Sequence, residues 1–193
     1  MTEKEKMLAG ELYDGHDPEL LNRYWIARKL IQRFNGPDVI DPDARVITLR
    51  ELLGQAGERC WIDAPFHCDY GDNIYIGKDV YIGYDCIFQD DNRITIGDDC
   101  LIGAGTILST SEHPIVRAQR LLPDTTTGGT RYTTRTRPVS IGNGCWLGAG
   151  VRVLPGVTIG EGCVVGAGSV VNRDLPPNTV CAGVPCRVLR AIE

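Results

Sequence analysis

Three features are scarce in this chain of 193 residues. Histidine occurs only three times, none of the eight cysteines stands in a Cys-x-x-Cys pair, and no apolar run approaches the length of a membrane span. The start, MTEKEKMLAGELYD, has no apolar stretch of the kind a secretory signal needs. Basic residues are in deficit: 20 Lys and Arg stand against 25 Asp and Glu, a net charge of −5, so the electrostatic footprint of a nucleic-acid binder is missing. The expectation is a cytoplasmic protein with neither membrane nor nucleic acid as partner. The cysteine spacing disfavours a disulfide framework or structural zinc, and buried free thiols acting as small hydrophobes fit better.

What is abundant is glycine, and it is periodic. From Ile76 an apolar residue recurs in triplets spaced by six: Ile76, Ile82, Phe88; Ile96, Ile102, Leu108; Ile141, Leu147, Val153; Ile159, Val165, Val171. Glycine follows all of these except Phe88, Leu108, Val153 and Val171, so the exception closes each triplet. Turns this frequent do not suit a sandwich. They fit a coil with three flat faces, about eighteen residues per turn, whose parallel strands stack about 4.8 Å apart. The apolar residue then points inward near a corner, and the following glycine spares the turning backbone a Cβ clash. The fifth position must be small, and it holds Val, Cys, Thr or Ser. Cys100, Cys145, Cys163 and Cys181 are accordingly expected in one interior column. The fold class is mainly β, a parallel β-helix of hexapeptide repeats with a triangular section.

An α-helical cap is expected ahead of it, over residues 1–57. Thr2 and Glu5 form a capping box, and Asp17-Pro18 opens a helix with Leu21, Trp25, Ile31 and Phe34 on its apolar side, ending at Asn35-Gly36-Pro37. Thr48-x-x-Glu51 suggests a third helix start. The β-helix then occupies 58–193, with an excursion loop over 109–138 and a closing C-terminal segment.

KMLAGELYD, FHCDYGDNIYIG, SEHPI, PGVTIGEGCVVGAGSVV and AGVPCRV together resemble the hexapeptide-repeat acyltransferases, in particular their maltose and galactoside O-acetyltransferase branch. The resemblance spans essentially the whole chain. It implies a left-handed β-helix, three subunits around a three-fold axis with active sites between neighbours, and acetyl-CoA as acetyl donor. It also implies that His113 in SEHPI is the catalytic base. An imidazole suits that role, because its ordinary pKa lets it take the proton of a weakly nucleophilic hydroxyl near pH 7. No metal is implied.

The acetyl-CoA contacts carried over from the family are Trp146, Ala149, Ala167, Asn172, Arg173, Arg187 and Arg190. The arginines would meet the cofactor's phosphates, and the Ala149 N–H could meet the thioester oxygen as charge develops on it. The acceptor-binding residues are Asp91, Asp14, Asp69, Tyr81 and Gly83, the last standing where these sugar enzymes usually carry asparagine. The loop between His113 and Pro138 is longer than usual, with Arg117, Arg120, Arg131, Arg135 and Arg137 against one acid, Asp124. It would either reach a neighbouring subunit and favour an anionic or bulkier acceptor, or be a flexible Thr/Gly-rich surface loop with no contact to substrate. The leading reading is an acetyl-CoA-dependent O-acetyltransferase acting on a sugar-like hydroxyl through a ternary complex. An acetyltransferase for an amine or antibiotic hydroxyl and a non-catalytic β-helix scaffold are the alternatives. A zinc carbonic anhydrase on the same fold would need three convergent histidines, which His16, His67 and His113 do not provide by their spacing.

Overall fold

The computed structural model describes residues 1–36, 41–121 and 132–193; Pro37 of the expected helix stop, and Asp124 and Arg131 of the loop, lie outside them. The chain opens with three helices. In α1 (Glu3–Ala9) the Thr2 side chain accepts from the Glu5 amide while Glu5 reaches back to Thr2, the capping box read from the sequence. In α2 (Pro18–Phe34) Asp17 caps the Glu19 amide. The buried face of α2 is Leu20, Ala27, Ile31 and Phe34, whereas Trp25 is exposed. Helix α3 (Pro42–Leu52) begins well before Thr48, because Asp41 caps Asp43 and Ala44 with Pro42 in the first turn. Thr48 sits mid-helix and donates back to the Ala44 carbonyl at 2.9 Å, so the apparent capping box there is a helix interior.

A parallel β-solenoid follows. Its first coil comprises β1 (Gln55–Ala56), β2 (Trp61–Ile62) and β3 (Phe66–Cys68), and its second β4 (Ile74–Ile76), β5 (Tyr81–Ile82) and β6 (Cys86–Gln89). The third holds β7 (Ile94–Ile96), β8 (Leu101–Ile102) and β9 (Ile107–Ser109). The chain then leaves the solenoid through β10 (Ser111–Glu112) and α4 (Arg117–Arg120) and returns along β11 (Arg135–Thr136), which pairs antiparallel with β10. The fourth coil is β12 (Val139–Ile141), β13 (Trp146–Leu147) and β14 (Arg152–Val153), and the fifth β15 (Thr158–Ile159), β16 (Val164–Val165) and β17 (Val170–Val171). Strand β18 (Thr179–Ala182) adds one more rung, and β19 (Arg187–Ala191) folds back antiparallel against it. Each coil contributes one strand to each of three sheets, ordered β1-β4-β7-β12-β15, β2-β5-β8-β13-β16-β18-β19 and β3-β6-β9-β14-β17. Strand β1 falls inside the segment expected to be cap.

Inside, the register stacks Ile62, Ile82, Ile102, Leu147 and Val165 on one face, all essentially without exposure. Cys145 is flanked by Cys100 and Cys163 in a neighbouring column, as expected. Cys181 is not in it. It pairs with Val165, and the residue above Cys163 is Thr179, whose hydroxyl lies 3.5 Å from the Cys163 thiol. The equal spacing of Cys163 and Cys181 is misleading because the last coil is shortened before β18.

Glycine has two distinct duties. A Cβ on Gly103, directly after the inward Ile102, would lie 2.5 Å from the Ala149 nitrogen of the next coil, so this position is set by close approach between coils. The left-handed residue comes two places later, as at Gly105 (φ 68°), and the early coils use Asp79, Asp85 and Asp99 there. The expected turn glycine is thus a stacking glycine. At the open end, Ala27, Ile31, Phe34, Leu49 and Leu52 continue the solenoid core without a break. They cover an apolar interior that would otherwise meet water.

Candidate active site at the interrupted corner

The six-residue rhythm fails at one corner only. Ile76 follows Cys68 by eight residues and Ile96 follows Phe88 by eight, against six between Val153 and Ile159. The excursion loop leaves from the same corner, after Leu108. Two extra residues per coil are therefore taken up at this corner, between Cys68 and Ile74 and, one coil on, between Phe88 and Ile94. Asp90 turns inward, fully buried, and its Oδ1 accepts the amides of Asp69 and Tyr70 at 2.8 and 2.9 Å. That leaves Asp69 and Asp91 on the rim of a cavity of about 470 Å³.

The cavity is closed on one side by Tyr13, Gly15 and Tyr24 of the N-terminal segment and on the other by Ser111, Glu112, His113 and Thr134 of the excursion. The Nδ1 of His113 lies 2.8 Å from the carbonyl of Thr133. A carbonyl can only accept, so the neutral ring carries its proton on Nδ1 and keeps the Nε2 lone pair available. Thr133 is itself held, its amide donating to the Arg120 carbonyl at 2.9 Å and its hydroxyl to the Gln119 carbonyl at 2.6 Å. The Tyr13 hydroxyl donates to Asp91 Oδ1 at 3.0 Å. Burial, and then the negative charge of Asp91, push Asp69 up to about 6, against the pull of Arg28 3.9 Å away. Burial is also the main reason Tyr13 and Tyr70 are raised well above the ordinary phenol range, so both remain hydroxyl donors.

Of the expected site residues, His113, Asp69 and Asp91 line this one cavity. Asp14 does not join them. Its side chain is 69% exposed and accepts from the His16 amide at 2.9 Å, while its neighbours Tyr13 and Gly15 line the cavity. Tyr81 and Gly83 belong to a different part of the coil. Tyr81 lies on the outer face of the seven-stranded sheet and donates to Asp63 at 2.6 Å, and Gly83 stacks under Ala104 at the corner beyond it. Among the loop arginines, Arg137 pairs with Glu112 at 2.9 Å, Arg120 donates to the Pro114 carbonyl at 3.3 Å, and no arginine is among the described residues lining the cavity.

The residues expected to hold the cofactor also divide between two regions. Asn172 and Arg173 line a second cavity of about 380 Å³ together with Glu112 and Arg137, so it adjoins the first through Glu112. Ala149 and Ala167 lie one coil apart on the corner that carries Gly83, both exposed. Trp146 is exposed on the seven-stranded sheet in register with Leu101 and Tyr81, and Arg187 and Arg190 sit at its far edge on β19. In the third to fifth coils that corner reads Gly103-Ala104-Gly105, Gly148-Ala149-Gly150 and Gly166-Ala167-Gly168, so no side chain there extends beyond Cβ, and the arginines of β19 stand past its end. That combination suits a long phosphorylated donor such as acetyl-CoA. His16 and His67 lie outside the cavity, and among the described residues no group of three or more His, Cys, Asp or Glu is placed to hold a metal ion. No described helix is long and apolar enough to cross a membrane. The sequence reading misses Tyr13, Tyr24, Tyr70, Asp90 and Thr133. The one signal available for Tyr70 and Asp90 is the repeated eight-residue spacing.

Comparison with known proteins gives the same architecture a context. Residues 6–57 match the maltose acetyltransferase hexapeptide capping motif, residues 73–110 the hexapeptide repeat of succinyl-transferase, and residues 138–173 the bacterial transferase hexapeptide. The chain is 43% identical to nodulation protein L of Rhizobium meliloti over 97% of both chains. It superposes on a maltose O-acetyltransferase from Clostridium difficile with a TM-score of 0.92 at 41% identity, covering 100% of this chain and 98% of the other. A galactoside acetyltransferase solved in complex with coenzyme A gives a TM-score of 0.89 at 36% identity, with 100% and 92% covered.

Proposed function

From the premise that the chain belongs to the hexapeptide-repeat O-acetyltransferases of the maltose and galactoside branch, which use acetyl-CoA, we propose that it acetylates a hydroxyl of a sugar-like acceptor with His113 as the general base. The observation that carries this reading is the 2.8 Å contact from His113 Nδ1 to the Thr133 carbonyl, because it leaves Nε2 basic beside two carboxylates. A second hydroxyl of the acceptor, next to the reacting one, donates to Asp91, with Asp69 beside it, while the reacting hydroxyl donates to His113 Nε2. Its oxygen attacks the thioester carbonyl of acetyl-CoA as its proton passes to His113 Nε2. The C–S bond breaks, and the departing CoA thiolate takes the proton from the imidazolium. Both substrates are bound together. An acetyl-cysteine intermediate has little support, since seven of the eight thiols are buried and Cys60 is half-buried away from the cavity.

The lining of Asp69, Asp91 and Glu112 favours a neutral or cationic acceptor over an anionic one. The three tyrosines Tyr13, Tyr24 and Tyr70 offer faces for the apolar side of a sugar ring. The helical segment 1–57 serves as the acceptor-site lid through Tyr13, Gly15 and Tyr24. A homotrimer completes the site. In one chain, Gly83, Ala149 and Ala167 sit on a corner remote from His113, and Trp61, Tyr81, Leu101 and Trp146 form an exposed apolar ladder on the seven-stranded sheet that a neighbour would cover. Glucose, galactose, maltose and glucosamine incubated with acetyl-CoA, followed by mass detection of the acetylated product, test the reading. His113→Ala should lower kcat by about 10²–10⁴. Transfer at the wild-type rate in that variant would remove His113 from the chemistry.

A further inference from the structure

We infer that Tyr13 is a positioning residue that holds the acceptor-binding carboxylate of Asp91 and the base His113 at a fixed separation, an inference that rests on the acetyltransferase reading of this cavity. The two groups come from different parts of the chain. Asp91 stands on the bulged corner after β6, and His113 stands on the excursion loop, outside the solenoid's regular stacking. The coil register brings their segments together, with Gln89 paired to Ser109 and the Asn92 amide donating to Thr110 Oγ1 at 2.8 Å, but the pairing ends before it reaches Asp91 or His113. Tyr13 touches both sides. Its hydroxyl donates to Asp91 Oδ1 at 3.0 Å, and its backbone forms an antiparallel bridge with Thr134, next to the Thr133 carbonyl that receives His113 Nδ1.

The segment bearing Tyr13 is anchored independently. The Thr136 hydroxyl donates to the Met7 carbonyl, and Asn92 Nδ2 donates to the Leu8 carbonyl at 3.1 Å and to the Thr136 hydroxyl at 2.9 Å. Gly10 packs so closely on β11 that a Cβ there would meet the Thr136 carbonyl at 2.8 Å. The Tyr13 ring packs on the cluster of Met7, Leu20 and Tyr70. The residue is therefore a strut between two functional groups rather than a mobile rim side chain. Its hydroxyl also has a chemical consequence. By holding Oδ1 it fixes the rotation of the Asp91 carboxylate, which sets the directions in which its remaining lone pairs can receive a substrate hydroxyl.

Tyr13→Phe keeps the ring and the backbone bridge and removes only the hydroxyl. With whichever of glucose, galactose, maltose or glucosamine gives the highest kcat/KM, the acceptor KM should rise about tenfold. The KM for acetyl-CoA and the melting temperature should stay at wild-type values, which a merely structural role would not produce. In an Asp91→Asn background the same change should have no further effect. A crystal structure of Tyr13→Phe should show the Asp91 carboxylate in a new rotamer. Unchanged acceptor KM, equal rises in both KM values, additive losses in the double variant, or an unmoved Asp91 would each overturn the inference. Failure of the underlying reading looks different: His113→Ala would then transfer acetyl as well as wild type, whatever Tyr13→Phe does.

Discussion

Asp90 has no exposed surface, yet one of its oxygens, Oδ2, finds no hydrogen-bond partner among the described residues. Burial is the leading reason its carboxyl is pushed up to about 7, opposed by the amides of Tyr70 and Asp69 and reinforced by the neighbouring carboxylates. Its ordinary value is 3.8, so the folded state holds the proton more tightly than the unfolded chain. The resulting stabilisation is complete below about pH 4 and is lost as pH rises through 7; Asp69, raised to about 6, acts in the same direction. Asp90→Asn keeps an oxygen for the two amides and removes the charge. It should raise the melting temperature at pH 8, by about 2–4 °C per kcal/mol relieved, and leave it nearly unchanged at pH 4. Calorimetry across that range checks this, and a variant as pH-sensitive as wild type would show that Asp90 does not carry the dependence. Aspartate at 90 was visible in the sequence, but its inward turn was not. Two adjacent aspartates read alike until the bulge sends one inside and one to the cavity.

At the scale of the coil, two glycines two residues apart have different reasons to exist. Gly103→Ala places a methyl 2.5 Å from the Ala149 nitrogen and should cost about 1–3 kcal/mol in urea unfolding, as overpacking does. Gly105 has no atom within 4 Å of its would-be Cβ and needs only a left-handed backbone, so Gly105→Asn should be nearly neutral, matching the aspartates of the earlier coils. The reverse ranking would refute close approach as the reason for the repeat's glycine. The rungs themselves were legible because side-chain direction and coil register share one short period. The start of α3 was not, since Thr48-x-x-Glu51 imitates a cap and only the hydrogen bonds of Asp41 decide where the helix begins.

For the whole molecule, the division of the proposed cofactor and acceptor residues between separate regions of one chain leads to a complementation experiment. His113→Ala and Ala149→Trp subunits, each expected to be strongly impaired alone, should regain part of the wild-type activity when unfolded and refolded together, because some interfaces would then pair two intact halves. Sedimentation should give a trimer for both. No recovery from a well-formed mixed trimer would place the complete site within one subunit.

The sequence by itself determined the solenoid, its capped N-terminus, and a histidine at the point where the repeat breaks. These are local facts, set by a six-residue period and by turn and cap residues that act within a few positions of themselves. Only the tertiary structure decided that Tyr13 reaches Asp91 across 78 residues, that Thr133 orients His113, and that Asp14 turns away while Asp69 comes in. Such contacts join the cap, a bulged corner and an excursion loop that share no period. Their proximity is set by how those three parts pack together, and no spacing along the chain records it.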